Sequence, residues 1–135
     1  YKGAESLVLA PGAGASLPGL SFKNGIIEYD IAFGRDRGFI STQFRGQDEQ
    51  NYEEYYFRPH QSGNPDAMQY SPVYHGLSGW QLYHGENHSN AHHFKEEEWM
   101  HIKLVVVDYQ MEVFIDNMNI PVLYVFDLKR AVASG

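Results

Sequence analysis

Apolar and polar residues alternate along this chain with the two-residue period of a strand, and almost nowhere with the period of a helix. Residues 26–33 (IIEYDIAF) show it best: Ile27, Tyr29, Ile31 and Phe33 share one face, with Glu28 and Asp30 on the other. One apolar face means one core-facing side. Residues 39–45 (FISTQFR) turn Ile40, Thr42 and Phe44 one way and Ser41, Gln43 and Arg45 the other. Residues 52–58 (YEEYYFR) set Tyr55 and Phe57 against Glu54, Tyr56 and Arg58. Residues 80–84 (WQLYH) pair Trp80 with Leu82, and Gln81 with Tyr83. Residues 99–107 (WMHIKLVVV) and 110–115 (QMEVFI), joined by Asp108-Tyr109, form a predicted hairpin. A short strand at 5–10 (ESLVLA) and a last one at 122–127 complete the set. Turn-forming residues punctuate it, with Asn24-Gly25 before the strand at 26–33 and Asp116-Asn117 after the hairpin.

Between residues 58 and 85 the alternation lapses until near the end. This stretch, RPHQSGNPDAMQYSPVYHGLSGWQLYHG, holds three of the six prolines. Asn64-Pro65-Asp66 and Ser71-Pro72 read as turns. A loop this long in a compact domain is often functional. We expect an ordered excursion at the rim of a binding surface. Many short strands without a convincing helix predict an all-β fold, an antiparallel β-sandwich, as a single domain over residues 1–135.

Composition narrows the partners. A net charge of -7 argues against nucleic acid, which needs a basic patch. The absence of cysteine excludes disulfides and thiolate metal sites, and no apolar run is long enough for a membrane span. Ten tyrosines suit a recognition surface, where a ring supplies contact area and its hydroxyl stays wet. The opening Tyr1-Lys2-Gly3 has no leader pattern, and a processed or trimmed chain is expected.

The order of motifs adds a family. FKNGIIEYDI, GFISTQFR, NYEEYYFRPH, GWQLYHG and EEEWMHIKLVVVDYQMEVFIDN together resemble the concanavalin A-like lectin/glucanase superfamily. The nearest likeness is to laminin-G-like and glycoside-hydrolase-16-related domains of secreted bacterial proteins. The resemblance implies a jelly roll of two curved sheets that binds carbohydrate on its concave sheet and bordering loops, in a secreted or periplasmic setting. It also implies a final strand returning beside the first, which is expected to be missing or replaced after residue 127. Glucanases of the superfamily carry Glu-x-Asp-x-x-Glu on one strand. Glu28-Tyr29-Asp30 reproduces the first half, but Phe33 stands where the second Glu belongs. No cofactor is expected. Calcium, which laminin-G-like domains often hold, has Asp48, Asn51, Asp116 and Asn117 as eligible ligands, although turns use the same residues.

If the strands at 26–33, 39–45, 52–58 and 80–84 are neighbours, their polar faces merge into one surface. It would hold Glu28, Asp30, Gln43, Arg45, Glu54, Tyr56, Arg58, Gln81 and Tyr83, with His60 at the start of the loop. Planar groups for stacking beside forked donors and acceptors suit a sugar. A solvated sheet face with weak Arg–Glu pairs would show the same pattern. Trp80 and Trp99 are expected in the core. His88, His92 and His93 have metal-type spacing only on a helix, and none is predicted there. The leading expectation is a carbohydrate-binding domain using Gln43, Arg45, Glu54, Tyr56, Arg58, His60, Gln81 and Tyr83. The alternatives are a glycoside hydrolase with non-standard carboxylates and a laminin-G-like protein-interaction module.

Overall fold

The computed structural model describes residues 1–135. In chain order the strands are β1 (Gly25–Ile31), β2 (Ile40–Asp48), β3 (Asn51–Phe57), β4 (Met68–Tyr74), β5 (Leu77–Ser78), β6 (Ser89–Asn90), β7 (Met100–Val107), β8 (Gln110–Ile115) and β9 (Leu123–Val125). A single 3-10 turn, Pro59–Gln61, is the only helical element, so no helix is long and apolar enough to cross a membrane. All strand pairs are antiparallel and form two sheets, β1-β7-β8-β9 and β2-β3-β4-β5, with β6 also on β4. The fold is an antiparallel β-sandwich.

The period-two pattern dictates the core. Met100, Ile102, Leu104 and Val106 of β7, with Met111, Val113 and Ile115 of β8, turn inward. They meet Tyr55 and Phe57 of β3 and Met68 and Tyr70 of β4 from the facing sheet. Burying such side chains stabilises the fold by roughly 1.5–3 kcal/mol each before entropy is counted. The Tyr29 hydroxyl meets the Thr42 hydroxyl at 2.6 Å between the layers, and burial pushes the Tyr29 phenol up to about 12. The hairpin of β7 and β8 closes where expected, with Val107 opposite Gln110 and Asp108 at φ 50°.

Several expectations give way. Residues 5–10 form no strand, and Leu7, Val8 and Leu9 are exposed, because no strand stands beside them to take their backbone hydrogen bonds. Residues 80–84 form a turn. The supposed loop at 58–85 contains β4, an inner strand of its sheet, paired along its length with β3. Pro72 hid it. The Tyr70 amide donates to the His88 carbonyl, so the amides of residues 70 and 72 point away from β3. Pro72 therefore removes no bond from the β3–β4 ladder. After β9 no further strand follows, but the tail returns beside the entry to β1. There Phe22 and Gly135 exchange both backbone hydrogen bonds, at 2.9 and 3.1 Å.

Candidate functional site

The alternation that buries Tyr55 and Phe57 turns Tyr52, Glu54 and Tyr56 to the outer face of β3, with Arg58 following. Register aligns Tyr56 with Ser41 and Gln69, and Glu54 with Gln43 and Ser71. The outer edge of β4 is covered by an arch. It pairs with β4 as β5 at one end and as β6 at the other, and between them residues 79–85 lift away. Gln69 holds the lifted part. Its Nε2 donates to the Trp80 carbonyl at 2.8 Å and to the Tyr83 carbonyl at 2.6 Å, while its Oε1 accepts the Tyr56 hydroxyl at 2.8 Å. The Ser71 and Ser78 hydroxyls meet at 2.6 Å, and the Gly79 amide donates to the Pro72 carbonyl at 2.9 Å.

Gly79 leaves room for this seating. A Cβ there would stand 3.1 Å from the Tyr83 ring and 3.2 Å from Pro72 Cγ. Gly79→Ala is expected to cost about 1–2 kcal/mol through overpacking, seen as a lower midpoint in urea unfolding with an unchanged slope. A midpoint equal to that of the parent would show that the arch shifts freely.

Between arch and sheet lies a cleft of about 330 Å³ lined by Phe39, Glu54, Tyr56, Arg58, Ser78 and Trp80. Trp80 is 50% exposed and Phe39 64% exposed, so both present ring surface to solvent. Phe39 packs edge-on against Tyr56 at 5.3 Å, and the Arg58 guanidinium lies 5.5 Å from the Phe39 ring centre. Arg58 forms an ion pair with Asp66, while its Nε–H is buried without a protein acceptor. An orphaned buried donor of this kind calls for an explanation. Burial pushes the Glu54 carboxyl up against the opposing effect of the Ser41 hydroxyl. Burial also raises the Tyr56 phenol, with the Glu54 charge adding to it.

Neither protein-family models nor curated proteins match the chain. Among solved structures it is similar to a carbohydrate binding module, CBM66 from Bacillus subtilis, with a TM-score of 0.60 and 15% sequence identity. The match covers 87% of this chain and spans 66% of that one. At this identity the likeness shows a shared β-sandwich fold.

The structure brings Glu54, Tyr56 and Arg58 together in the cleft. Gln43 lies exposed beside Glu54 on the neighbouring strand. His60 sits on the 3-10 turn, its ring 6.3 Å from Phe39 and its Nδ1 3.4 Å from the Gly38 amide. Gln81 is exposed on the arch, and Tyr83 packs inside it 5.7 Å from His88. Arg45 is elsewhere. A bulge after Phe44 sets its φ at 52° and turns it inward, only 2% exposed. There its Nε donates to the Lys23 carbonyl at 2.6 Å and its second terminal nitrogen to Asn24 Oδ1 at 2.8 Å. The merged polar surface does not form, because β1 belongs to the other sheet. Glu28 and Asp30 flank His101 there, at 3.4 and 2.8 Å, and raise its pKa, Asp30 foremost.

Trp80 is not a core residue but a cleft wall, whereas Trp99 is partly buried against Tyr1. Phe39, Ser78, Gln69 and Trp80 were missed as site residues. For Phe39 the signal was present, since inward Ile40 and Thr42 leave it outward. No three His, Cys, Asp or Glu side chains gather where a metal ion would sit. Asp48 accepts from the Gln50 amide and the Asn51 side chain within its turn. Asp116 binds Lys95 at 2.7 Å and the His101 amide at 2.9 Å.

Proposed function

We propose that this chain is a carbohydrate-binding β-sandwich domain that seats a glycan in the cleft between β3 and the arch. The observation that carries this reading is the pair of exposed rings, Phe39 and Trp80, fixed beside Arg58, Glu54 and Tyr56. A pyranose or furanose offers an apolar face to such rings and hydroxyls to the forked groups around them. The fold shared with a solved carbohydrate binding module supports it, as does the likeness of the motifs to concanavalin A-like domains. A secreted or periplasmic setting follows from the same reading, and an acidic chain offers little to nucleic acid.

A hydrolase has less support. Glu28 and Asp30 lie on the other sheet, and the cleft is lined by a single carboxylate, Glu54, where glycoside hydrolysis needs two. The test is an array of hexose-, pentose- and uronate-built glycans, followed by titration of the best binder against parent and Arg58→Ala. Loss of the guanidinium is expected to weaken binding at least about tenfold, or 1.4 kcal/mol. An array on which nothing binds refutes the proposal, as does an Arg58→Ala variant that binds like the parent.

A further inference from the structure

The cleft continues past Arg58 and Trp80. Both side chains also line a second cavity of about 290 Å³, whose other walls include Asp66, Gln69, His84 and Ser89. Three of the six residues lining the first cavity are aromatic, whereas five of the eight lining the second are polar or charged. Each volume is near the lower limit for a small-molecule site. Neither is distant from the other, since Arg58 and Trp80 form the partition. The Trp80 backbone that fixes this partition is held by Gln69, which itself faces the second cavity.

Charge adds a second constraint. Arg58 is the only Lys or Arg lining either cavity, and it is paired with Asp66. Glu54 adds a further carboxyl on the aromatic side. The lining thus has no spare cation, within a chain of net charge -7. An anionic sugar would have to displace Asp66 from Arg58 or lie beside Glu54 without a counter-charge. Like-charge contacts of that kind cost several kcal/mol. A hydroxyl, by contrast, both donates and accepts. It can take a hydrogen bond from a guanidinium N–H not used by Asp66 and give one to a carboxylate oxygen.

We infer that the site takes a neutral oligosaccharide of at least two units, laid across Arg58 and Trp80, and discriminates against uronate-bearing glycans. One ring lies among Phe39, Tyr56 and Trp80, and its neighbour lies among Asp66, Gln69, His84 and Ser89. This rests on the carbohydrate reading and specifies the ligand's charge and length. The Arg58–Asp66 pair is the charge filter: the carboxylate neutralises the guanidinium that would otherwise attract an anion, while leaving both partners able to bond hydroxyls.

The test is calorimetric titration at pH 8, where an ordinary imidazole is uncharged. The probes are glucose-, galactose-, mannose-, fructose- and xylose-built series of one to four units, with di- and tetragalacturonate. For the neutral series that binds, affinity should rise at least tenfold from one unit to two, and the galacturonates should bind at least tenfold more weakly than that pair. His84→Ala should weaken the two-unit probe by a larger factor than the one-unit probe. Asp66→Asn, checked by thermal unfolding to be folded, should narrow the gap between neutral and galacturonate probes by uncovering the guanidinium. Equal affinity for one and two units overturns the second subsite. Galacturonate bound as tightly as the neutral probe overturns the charge filter. Both of those outcomes leave carbohydrate binding standing, whereas a parent that binds no probe at any length removes the carbohydrate reading and this inference with it.

Discussion

Replacing Glu53 with alanine is expected to destabilise the fold by about 3–5 kcal/mol, the usual result of breaking a buried charge network from one side. In a chain of this size that lowers the unfolding temperature by on the order of 10–20 °C. Glu53 is fully buried on β3, on the same face as Tyr55 and Phe57. Its Oε2 accepts the Tyr70 hydroxyl at 2.6 Å, and its Oε1 accepts the Arg130 amide at 3.2 Å. The Tyr70 oxygen in turn accepts the Lys129 amide at 2.7 Å. One carboxylate therefore docks the segment after β9 onto the β2-β3-β4-β5 sheet, where Leu128 joins the core and Arg130 donates to the Val73 carbonyl at 2.7 Å. Alanine would leave the Tyr70 hydroxyl and the Arg130 amide without their acceptor. It would also remove the negative charge that favours the buried Arg45 guanidinium, one of whose nitrogens already lacks a partner. Urea unfolding measures the loss. A variant within 1 kcal/mol of the parent would show that this network is not what docks the segment.

The pH dependence of the same residue has a definite sign. Burial raises the Glu53 carboxyl above its ordinary value, although the Tyr70 hydroxyl, the Arg130 amide and the nearby arginines oppose it. The folded state thus binds the proton more tightly than the unfolded one. Its contribution is fully present below the ordinary carboxylate value and is lost as pH rises through the raised one. Glu53→Gln cannot titrate and should cost about 1–3 kcal/mol through its altered hydrogen bonds. The parent's advantage over Glu53→Gln should therefore shrink between pH 4 and pH 7. An advantage that grows over that range would mean that the carboxyl is depressed in the fold. Asp48 acts in the opposite sense: bonds from the Asn51 side chain and the Gln50 amide lower it, so its contribution is lost as pH falls.

Glu53 shows what alternation can reveal. A carboxylate in phase with Tyr55 and Phe57 is inward by the same count that places those rings, and β7 and β8 are legible for the same reason. Alternation gives a residue's face but not its sheet, so Glu28 and Asp30 could not be separated from Glu54 and Arg58 on sequence. Arg45 was lost to a bulge, since one added residue reverses every face after it. β4 was lost to Pro72, whose harmless orientation depends on which way the amides of residues 70 and 72 point. Trp80 could not be placed either, because no local pattern aims it. Its position comes from the side chain of Gln69, eleven residues earlier.

That dependence makes Gln69→Ala the most damaging single change expected at the site. Gln69 is 2% exposed and uses both its amide hydrogens and its oxygen. Alanine would leave the Tyr56 hydroxyl and two arch carbonyls without their partner, costing about 2 kcal/mol of stability because water reaches part of the arch. The larger effect should be on recognition. Without its tether, Trp80 is no longer fixed opposite Arg58 and Phe39, and glycan affinity should fall about a hundredfold, or 2.7 kcal/mol. Arg58→Ala removes one contact from an intact cleft, whereas Gln69→Ala removes the wall. Gln69→Glu separates tethering from mere bulk. It keeps the side chain's shape and can still accept the Tyr56 hydroxyl, but it turns an acceptor toward the Trp80 and Tyr83 carbonyls, which repel it. It should lose binding as fully as alanine does, while Tyr56→Phe, which removes only one hydroxyl, should lose a fewfold. If Gln69→Glu binds as the parent does, the arch is held by its strand pairings alone, and the cleft does not depend on Gln69.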